Sequence, residues 1–458
     1  MKFIGRIEEI KRINKLINEP KQNNILIYGR RRIGKSFLIK KALENYNGLV
    51  IHYQCKDINY SNTLEELSLL IKTKMNLQYE INFKTIDLIL DFLFKQEKDI
   101  VFVLDEYSYL CNKIEGLDSI IQNKIDTYKY DSKLKIILSG SQIEIMKNMI
   151  EYGNPLYGRF TDIIELKEHN YLESSEYYPS FSNEDKVMLY SVFGGEPLYN
   201  SLIDESKSAL DNIKELIIKE NSFVELNINN MLNAELSKIK LGNDVLQAIA
   251  LGVRKNDDLV SKARAENSAA LNHVLKKLLK LDLIKKISPI NDENNKKKTM
   301  YFINNNPLRF YYKYLYRYSN ERSNMFIDDF YNQFISDDFN TQYIPNIFED
   351  ITKQYLIIQN KERKIDPPFN KIGTYWYDDK VNKTNGQFDV VTFDKNGYIF
   401  YEVKYIDNKI SKSIVEEEKR QLSLIEIPYY NLGFVSKKGF DNIKDNYILI
   451  SLDDIYKN

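Results

Sequence analysis

Short apolar runs alternate with helix-like stretches in the first third of the chain. Four of these runs have the length of buried strands, at 24–28, 49–53, 100–104 and 134–139. Two other stretches, 6–18 and 36–46, repeat their apolar residues at the spacing of a helix. Strands that alternate with helices form parallel sheets covered on both faces. The pattern therefore predicts an α/β fold built on a parallel sheet.

The later pattern changes three times. From 170 to 240 the apolar spacing is helical, and 243–303 predicts two or three short helices followed by a hairpin. An aromatic, basic helix begins at Pro307. After about 345, one helix at 347–358 precedes a strongly alternating β pattern at 387–405. We therefore expect further domains after the parallel sheet.

A glycine-rich loop follows the first predicted strand. Residues 29–36 read GRRRIGKS, which matches G-x-x-x-x-G-K-[ST] between a strand and a helix. Glycines let backbone N–H groups surround phosphates, and the helix N-terminus favours their negative charge. Lys35 can reach the β- and γ-phosphates, and the Ser36 hydroxyl can ligate Mg²⁺. The predicted nucleotide-binding residues of this loop are Gly29, Arg30, Arg31, Arg32, Ile33, Gly34, Lys35, Ser36 and Phe37.

Polar groups end two later strands. Asp105 and Glu106 follow the strand at 100–104, so we expect Asp105 to hold Mg²⁺ and Glu106 to act as the general base for water. Ser141 follows the strand at 134–139 and could sense the γ-phosphate, or simply be a solvated strand end. Arg159 could contact the phosphates or form a surface ion pair.

The N-terminal two-thirds resembles the archaeal-type P-loop ATPases of the AAA+/STAND lineage. The matching residues lie at 3–6 with Glu8, in the loop 29–36, in the two strand ends, and at 155–159 and 194–197. This resemblance implies ATP rather than GTP as the nucleotide. It also implies that Gly5, Arg6 and Pro197 lie near the nucleotide, and it gives Ser141 the first sensor position.

Residues 243–303 resemble a winged helix. Residues 241–300 contain 12 Lys or Arg against 7 Asp or Glu, and the predicted recognition helix carries Lys276 and Lys277. The wing tip carries three more lysines, 296–298. Such groups suit contacts with DNA phosphates. The alternatives are a lever that responds to the nucleotide and a solvated lysine-rich wing.

A hairpin signal near the end of the chain carries two carboxylates and a lysine. A two-residue turn on Asn396-Gly397 would place Asp389 opposite Lys404 and Glu402 opposite Val391. Because strand side chains alternate between faces, Asp389, Glu402 and Lys404 would share one face. Two carboxylates can hold Mg²⁺, and the lysine can orient water and stabilise developing negative charge.

This hairpin resembles the PD-(D/E)XK nuclease-like fold, with Asp389 as the Asp and Glu402-Val-Lys404 as the Glu-x-Lys. The resemblance adds Glu349, on the upstream helix, as a further metal ligand beside Asp389 and Glu402. An ordinary hairpin with a salt bridge and a degenerate nuclease fold used for binding stay open as alternatives.

These interpretations predict five segments and one main function. The segments are a P-loop ATPase core (1–165), a helical lid (166–240), a winged helix (241–305), a helical connector (306–345) and a nuclease-like domain with a mixed sheet (346–458). We expect ATP and Mg²⁺ as cofactors, and a nucleotide state that controls metal-dependent action on DNA. The alternative is a STAND-type switch that binds DNA or a protein partner without cleaving it.

Composition narrows the classes of protein. The chain has 458 residues, with 65 Lys or Arg against 65 Asp or Glu, so its zero formal charge disfavours indiscriminate nucleic-acid or membrane binding. Two cysteines and three histidines are too few for a disulfide framework or a recognisable zinc site. No apolar run reaches the length of a membrane span, and we expect a cytoplasmic protein. The sequence leaves the oligomeric state open.

Overall fold

The computed structural model describes residues 3–237, 239–295, 298–379, 384–425, 429–443 and 446–457. The chain forms two compact units. The N-terminal unit contains 3–168 together with Glu196–Leu198, and the C-terminal unit contains His169–Gly195 and the chain from Tyr199 onward. The division into five predicted segments stays a prediction.

A five-stranded parallel sheet forms the centre of the N-terminal unit. Its strands are Asn23–Tyr28 (β1), Leu49–Gln54 (β2), Ile100–Asp105 (β3), Lys135–Gly140 (β4) and Asp162–Glu165 (β5). They lie in the order β2-β3-β4-β1-β5, and every pairing is parallel. The predicted parallel sheet is confirmed, and β5 is a strand that the sequence pattern did not predict.

Helices cover both faces of this sheet. They are Ile7–Ile17 (α1), Lys35–Leu43 (α2), Tyr60–Met75 (α3), Ile86–Phe94 (α4), Ser108–Cys111 (α5), Leu117–Thr127 (α6) and Ile143–Asn148 (α7). Leu26 and Phe102 pack into one apolar cluster with α3, α4 and α6. Ile27 and Val103 pack into a second cluster with α1 and α2. Burial on both faces explains why these strands are apolar throughout.

The C-terminal unit begins with short helices. These are Tyr171–Ser175 (α8), Asn183–Phe193 (α9), Pro197–Asn200 (α10, which starts in the N-terminal unit), Ala209–Ile213 (α11) and Phe223–Leu236 (α12). The following region contains Gly242–Ala250 (α13), Asn256–Lys262 (α14) and Ser268–Lys280 (α15), then the antiparallel strands Ile284–Ile287 (β6) and Met300–Ile303 (β7). This order of helices and hairpin is the order that the pattern at 243–303 predicts.

Aromatic helices connect this hairpin to the last sheet. The α-helices are Asn306–Phe310 (α16), Ser319–Ser323 (α17), Ile327–Phe334 (α18), Ser336–Asp338 (α19) and Ile344–Lys361 (α20). Three segments adopt wider π-helical turns, at Lys214–Ile218, Tyr311–Leu315 and Phe339–Tyr343. The rings of Phe310, Tyr314, Phe339 and Tyr343 contact one another, which makes this region an aromatic core.

A mixed five-stranded sheet completes the C-terminal unit. Its strands are Lys371–Asp379 (β8), Thr384–Asp394 (β9), Gly397–Lys404 (β10), Asn431–Ser436 (β11) and Ile448–Ser451 (β12), in the order β12-β11-β10-β9-β8. β8, β9 and β10 are antiparallel, whereas β10, β11 and β12 are parallel. Two helices, Lys412–Ile425 (α21) and Leu452–Tyr456 (α22), accompany this sheet. The predicted mixed sheet is confirmed.

The hairpin between β9 and β10 turns one residue earlier than we expected. Asp394 pairs with Gly397, so the two turn residues are Lys395 and Asn396, and Phe400 pairs with Val391. Asp394 fixes this turn because its Oδ1 accepts a hydrogen bond from the backbone N of Asn396 at 2.7 Å. The predicted pairing of Asp389 with Lys404 is therefore wrong by two positions. An even shift keeps Glu402 and Lys404 on the face that we expected. The pairing of β9 with β10 ends at Val390, so it does not extend this result to Asp389.

Candidate functional site

The glycine-rich loop joins β1 to α2 and holds its lysine in place. Lys35 Nζ donates to the backbone oxygens of Gly29 at 3.0 Å and Arg30 at 2.9 Å. Burial lowers the pKa of Lys35, and the negative charges of Glu106, Asp105 and Glu196 oppose that shift. Gly34 has φ +93°, a conformation that favours glycine. The loop therefore presents its N–H groups at the N-terminus of α2, as phosphate binding requires.

Asp105 accepts hydrogen bonds from residues of neighbouring elements. Its Oδ2 accepts from Ser36 Oγ at 2.5 Å and lies 3.6 Å from His52 Nε2, while its Oδ1 accepts from Ser139 Oγ at 2.7 Å. Burial opposes ionisation, but the hydrogen bonds from His52, Ser36 and Ser139 outweigh it and lower the pKa of Asp105 to about 2. A permanently charged carboxylate beside the Ser36 hydroxyl is a suitable pair of oxygen ligands for Mg²⁺.

The sequence did not single out His52 and Ser139 as partners of Asp105. His52 lies on β2 and Ser139 on β4, and these are the two strands that flank β3. The strand order brings their side chains to Asp105, so no local motif carries the signal. The sequence feature that pointed to Ser139 was the polar end of β4, from Ser139 to Ser141.

Glu106 and Ser141 are joined at the carboxyl end of the sheet. Glu106 Oε2 accepts from the backbone N of Ser141 at 3.2 Å and from its Oγ at 2.7 Å. Glu106 also has φ 54°, which is unusual for a residue other than glycine and is typical of functional turns. This contact holds the carboxylate beside the end of β3, next to the loop lysine.

The other predicted nucleotide-proximal residues belong to the same unit. Arg6 is buried, donates to the backbone oxygen of Lys167, and lies 3.7 Å from Glu9. Phe37 packs against Phe3 with ring centroids 5.3 Å apart, next to Gly5, whose φ is 62°. Pro197 follows Glu196, whose charge acts on Lys35.

The arginines at 30–32 and Ile33 differ in environment. Arg30 pairs with Glu168 at 3.1 Å, and Arg31 donates to the Tyr109 hydroxyl at 3.2 Å. Arg32 is exposed with φ 69°, whereas Ile33 is buried and anchors the loop in the core beneath it.

Arg159 lies near the amino end of β1, whereas the loop follows the carboxyl end of that strand. Its backbone oxygen accepts from Asn24, at the beginning of β1, at 3.1 Å. Its guanidinium pairs with Asp126 at 3.1 Å. This is the surface ion pair that was the alternative interpretation, and the position offers no phosphate contact within the same chain.

One tetrapeptide affects the expectation of ATP. Asn-Lys-x-Asp is the spelling of a guanine-reading element, which we expected the chain to lack, but residues 123–126 read NKID. These residues lie inside α6, where Lys124 pairs with Asp87 at 3.0 Å and with Asp91 at 2.8 Å. A lysine committed to two surface carboxylates within a helix is not placed to read a guanine base.

The C-terminal carboxylates gather around an irregularity in the sheet. Gly373 pairs with Val391 and Tyr375 pairs with Phe388, so Asp389 and Val390 both lie opposite the single residue Thr374. This is a β-bulge, a feature that re-aims side chains and is common beside active sites. Val390 and Tyr401 form the last pair between β9 and β10, and Asp389 and Glu402 are the next residues of the two strands.

Glu349 and Glu418 join Asp389 and Glu402. Burial and then the charge of Asp389 raise the pKa of Glu349 to about 8. Burial also raises the pKa of Asp389, with a further contribution from Glu402. Burial and then the charge of Glu402 raise the pKa of Glu418, on α21, to about 7. Glu418 was missed because only the packing of α21 brings it to the sheet.

Lys404 partly compensates these carboxylates. It forms a salt bridge with Glu402, and although burial opposes it, the charges of Glu402 and Glu418 raise the pKa of Lys404. Throughout the described residues, no group of three or more His, Cys, Asp or Glu side chains is arranged to hold a metal ion. Asp389 and Glu402 are oxygen donors available to such an ion, and their charges contribute to the raised pKa of Glu349.

The predicted DNA-contacting lysines are distributed over α15 and the hairpin loop. Lys276 is exposed and Lys277 is half-buried on α15. Lys298 pairs with Asp292 at 3.3 Å, and residues 296 and 297 lie outside the described residues. No helix of the described chain is both long and apolar enough to cross a membrane.

The strand order, the loop with Lys35 and Ser36, and the Asp105–Glu106 pair define the N-terminal unit as a P-loop nucleoside triphosphatase fold. Residues 3–203 match the family described as an ATPase domain predominantly from Archaea. This region is therefore an ATP-binding and ATP-hydrolysing domain of the archaeal P-loop type. Residues 311–422 match a second family, described as archaeal and bacterial proteins of unknown function.

Relatives and one solved structure agree with this assignment. The chain is 26% identical over 460 residues to the uncharacterized protein MJECL04 of Methanocaldococcus jannaschii, which covers 99% of both chains. It is 54% identical over 43 residues to the ATP-binding protein MJ0423 of the same organism, which covers 9% of this chain and 73% of that one. The Walker-type ATPase PABY2304 of Pyrococcus abyssi shares the fold, with a TM-score of 0.50, 18% identity and coverage of 68% of this chain and 96% of that one.

Proposed function

We propose that ATP binding and hydrolysis in the N-terminal unit control a metal-dependent nuclease-like site in the C-terminal unit. One arrangement carries this proposal: Asp389 and Glu402 follow the last pair between β9 and β10, Glu402 forms a salt bridge with Lys404, and the charges of Asp389 and Glu402 act on Glu349. The β-bulge at Asp389 supports it, because bulges are common beside active sites.

In the N-terminal unit, each residue has a separate task. Lys35 and the N–H groups of the loop bind the phosphates, and Ser36 and Asp105 would hold Mg²⁺. The metal would neutralise charge on the phosphate oxygens. Glu106, held by Ser141, takes a proton from the attacking water. Arg6, Phe37 and the Glu196–Pro197 turn are proposed to lie around the nucleoside.

In the C-terminal unit, Asp389 and Glu402 would hold Mg²⁺, with Glu349 as a further ligand. The bound ion would offset the mutual repulsion of these carboxylates. Lys404 orients water toward a phosphodiester and stabilises the charge that develops on its oxygens. DNA is the proposed substrate, and the lysines of α15 and the hairpin loop are proposed to contact its phosphates.

Cleavage of DNA in the presence of Mn²⁺ or Mg²⁺ tests the proposal. Wild type should cut, whereas Glu402→Gln and Asp389→Asn, which keep the side-chain shape, should lose activity by about 10²-fold or more. Glu416→Gln is the matched control, because Glu416 is an exposed carboxylate on α21 that pairs with Lys419 at 3.7 Å. Equal cutting by wild type and Glu402→Gln would contradict the assignment.

A non-cleaving switch is the second candidate, and one observation favours it. The described residues contain no preassembled group of three metal ligands, and Glu402 is already paired with Lys404. The same experiment separates the two functions when it is run without nucleotide, with ADP and with a non-hydrolysable ATP analogue. DNA binding that changes with nucleotide, without cutting in any state, would identify the switch.

A further inference from the structure

The hairpin loop between β6 and β7 is docked on the edge strand of the last sheet. The backbone N of Ile290 donates to the Thr374 oxygen at 2.9 Å. Asn291 binds both backbone groups of Trp376, donating to its oxygen at 2.8 Å and accepting from its N at 3.2 Å. Ile290 is buried in the apolar core of that sheet. The helix–hairpin region and the nuclease-like sheet are therefore joined within one compact unit.

This docking takes place at the bulge that carries Asp389. Thr374, which accepts from Ile290, is the residue opposite Asp389 and Val390, and its hydroxyl donates to the Asp389 backbone oxygen at 3.3 Å. The hairpin region is therefore positioned to supply side chains to the carboxylate site. The question is which of its residues face that site.

Arg254, in the turn between α13 and α14, is such a residue. Its guanidinium lies over the Phe302 ring at 4.3 Å from the centroid, and its backbone oxygen accepts from the N of Tyr301 at 3.0 Å. Burial and then the charge of Arg309 lower the pKa of Arg254, whereas the charges of Asp350, Asp389 and Glu349 oppose that shift. Two contacts with β7 thus fix a cation whose charge acts on these carboxylates, which lie more than 90 residues further along the sequence.

Arg254 has unused hydrogen-bonding capacity. Within the described part of the chain, its guanidinium has no ion-pair partner within 4.0 Å and no hydrogen-bond acceptor, although it is partly buried. The adjacent Asp350 is already 3.7 Å from Arg309. A planar guanidinium that is stacked on a ring and keeps its N–H donors open suits a phosphate oxygen pair.

We infer that Arg254 binds a phosphodiester group of the DNA strand at the C-terminal carboxylate site. This inference rests on the proposed function for the identity of the site. It adds a residue that the helix–hairpin region contributes to the site, where Asp389 and Glu402 would hold an ion that neutralises phosphate charge. Because Arg254 binds and does not react, it is a substrate-positioning residue.

The test measures DNA affinity against salt concentration in a Glu402→Gln background, where the strand stays intact. Arg254→Gln should weaken binding and reduce the log–log salt slope by about one unit, the loss of one phosphate contact. Arg254→Lys should keep the slope, because it keeps the charge, but should bind less tightly because it loses the planar fork. Arg317→Gln is the matched control, because Arg317 is another ring-stacked arginine of this unit, at 4.7 Å from the Tyr318 centroid.

The outcomes separate this inference from the proposed function. An unchanged salt slope in Arg254→Gln would overturn the inference, even if wild type cuts DNA. A reduced slope without any cutting by wild type would support it and contradict the nuclease function. In an active wild-type background, Arg254→Gln should raise KM more than it lowers kcat. A loss of both thermal stability and activity, with unchanged KM, would count against the inference. Arg254→Lys covers the case in which Arg254→Gln fails to fold.

Discussion

The two candidate sites shift the pKa values of their carboxyl groups in opposite directions. In the N-terminal unit, hydrogen bonds from His52, Ser36 and Ser139 outweigh burial and lower the pKa of Asp105 to about 2. In the C-terminal unit, burial and neighbouring carboxylates raise the pKa of Glu349 to about 8. At the first site, Asp105 is therefore ionised before any cation binds. The second becomes electrostatically favourable only when a cation arrives, which makes it the better suited of the two to regulation.

Loss of the loop lysine should have the largest effect. Lys35→Ala removes the loop cation whose charge interacts with Glu106 and Asp105, so ATP turnover should fall by about 10²-fold or more, together with nucleotide affinity. Steady-state hydrolysis and binding of a fluorescent ATP analogue measure both. Lys41→Ala is the control on the same helix, because Lys41 is exposed and pairs with Glu44 at 2.5 Å. Equal turnover in Lys35→Ala and wild type would contradict the site.

Glu106→Gln should separate binding from chemistry. The amide keeps the size of the side chain but cannot take a proton, so turnover should fall by about 10²–10⁴-fold while ATP still binds. The exposed carboxylate Glu97, changed to Gln, should leave both unchanged. Hydrolysis at the wild-type rate in Glu106→Gln would refute the general-base role.

The raised pKa of Glu349 predicts a stability change with pH. A carboxyl group whose pKa is raised on folding contributes its stability at low pH and loses it as pH rises from about 4.5 to about 8. Glu349→Gln should therefore unfold at a higher temperature than wild type at pH 8, by several degrees, and should match it near pH 4.5.

Metal should remove that difference. Mn²⁺ should stabilise wild type at pH 8 and have a weaker effect on Glu349→Gln, because the charge that it neutralises is absent there. Glu362→Gln, an exposed change near the end of α20, should behave as wild type. Identical melting of Glu349→Gln and wild type across this pH range would mean that Glu349 is not under repulsion.

The smallest effect should come from the contact that holds Glu106. Ser141→Ala removes the 2.7 Å hydrogen bond from Oγ but keeps the bond from the backbone N. A hydrogen bond to a charged group contributes about 1.5 kcal/mol, so turnover should fall by about tenfold with little change in ATP affinity. A loss as large as that of Glu106→Gln would mean that Ser141 contacts the reacting groups directly.

Local sequence determined the nucleotide loop and the face of the C-terminal hairpin. The loop is contiguous, and its glycines, lysine and serine need only a strand before them and a helix after them. Side-chain alternation has a period of two, so Glu402 and Lys404 could be placed on one face even though the turn was predicted one residue late. The bulge at Asp389 interrupts that alternation, so the pattern alone could not place Asp389 on the same face.

Tertiary structure decided which distant residues meet these groups. His52 and Ser139 reach Asp105 because β2 and β4 flank β3, and strand order depends on packing across the whole sheet. Glu418 interacts with the C-terminal carboxylates because α21 packs against the last sheet. Arg254 interacts with them because the turn between α13 and α14 binds β7, whose hairpin docks on that sheet. Sequence patterns indicate the local backbone conformation and the buried positions. The contacts between distant residues depend instead on packing energies summed over many residues of the fold.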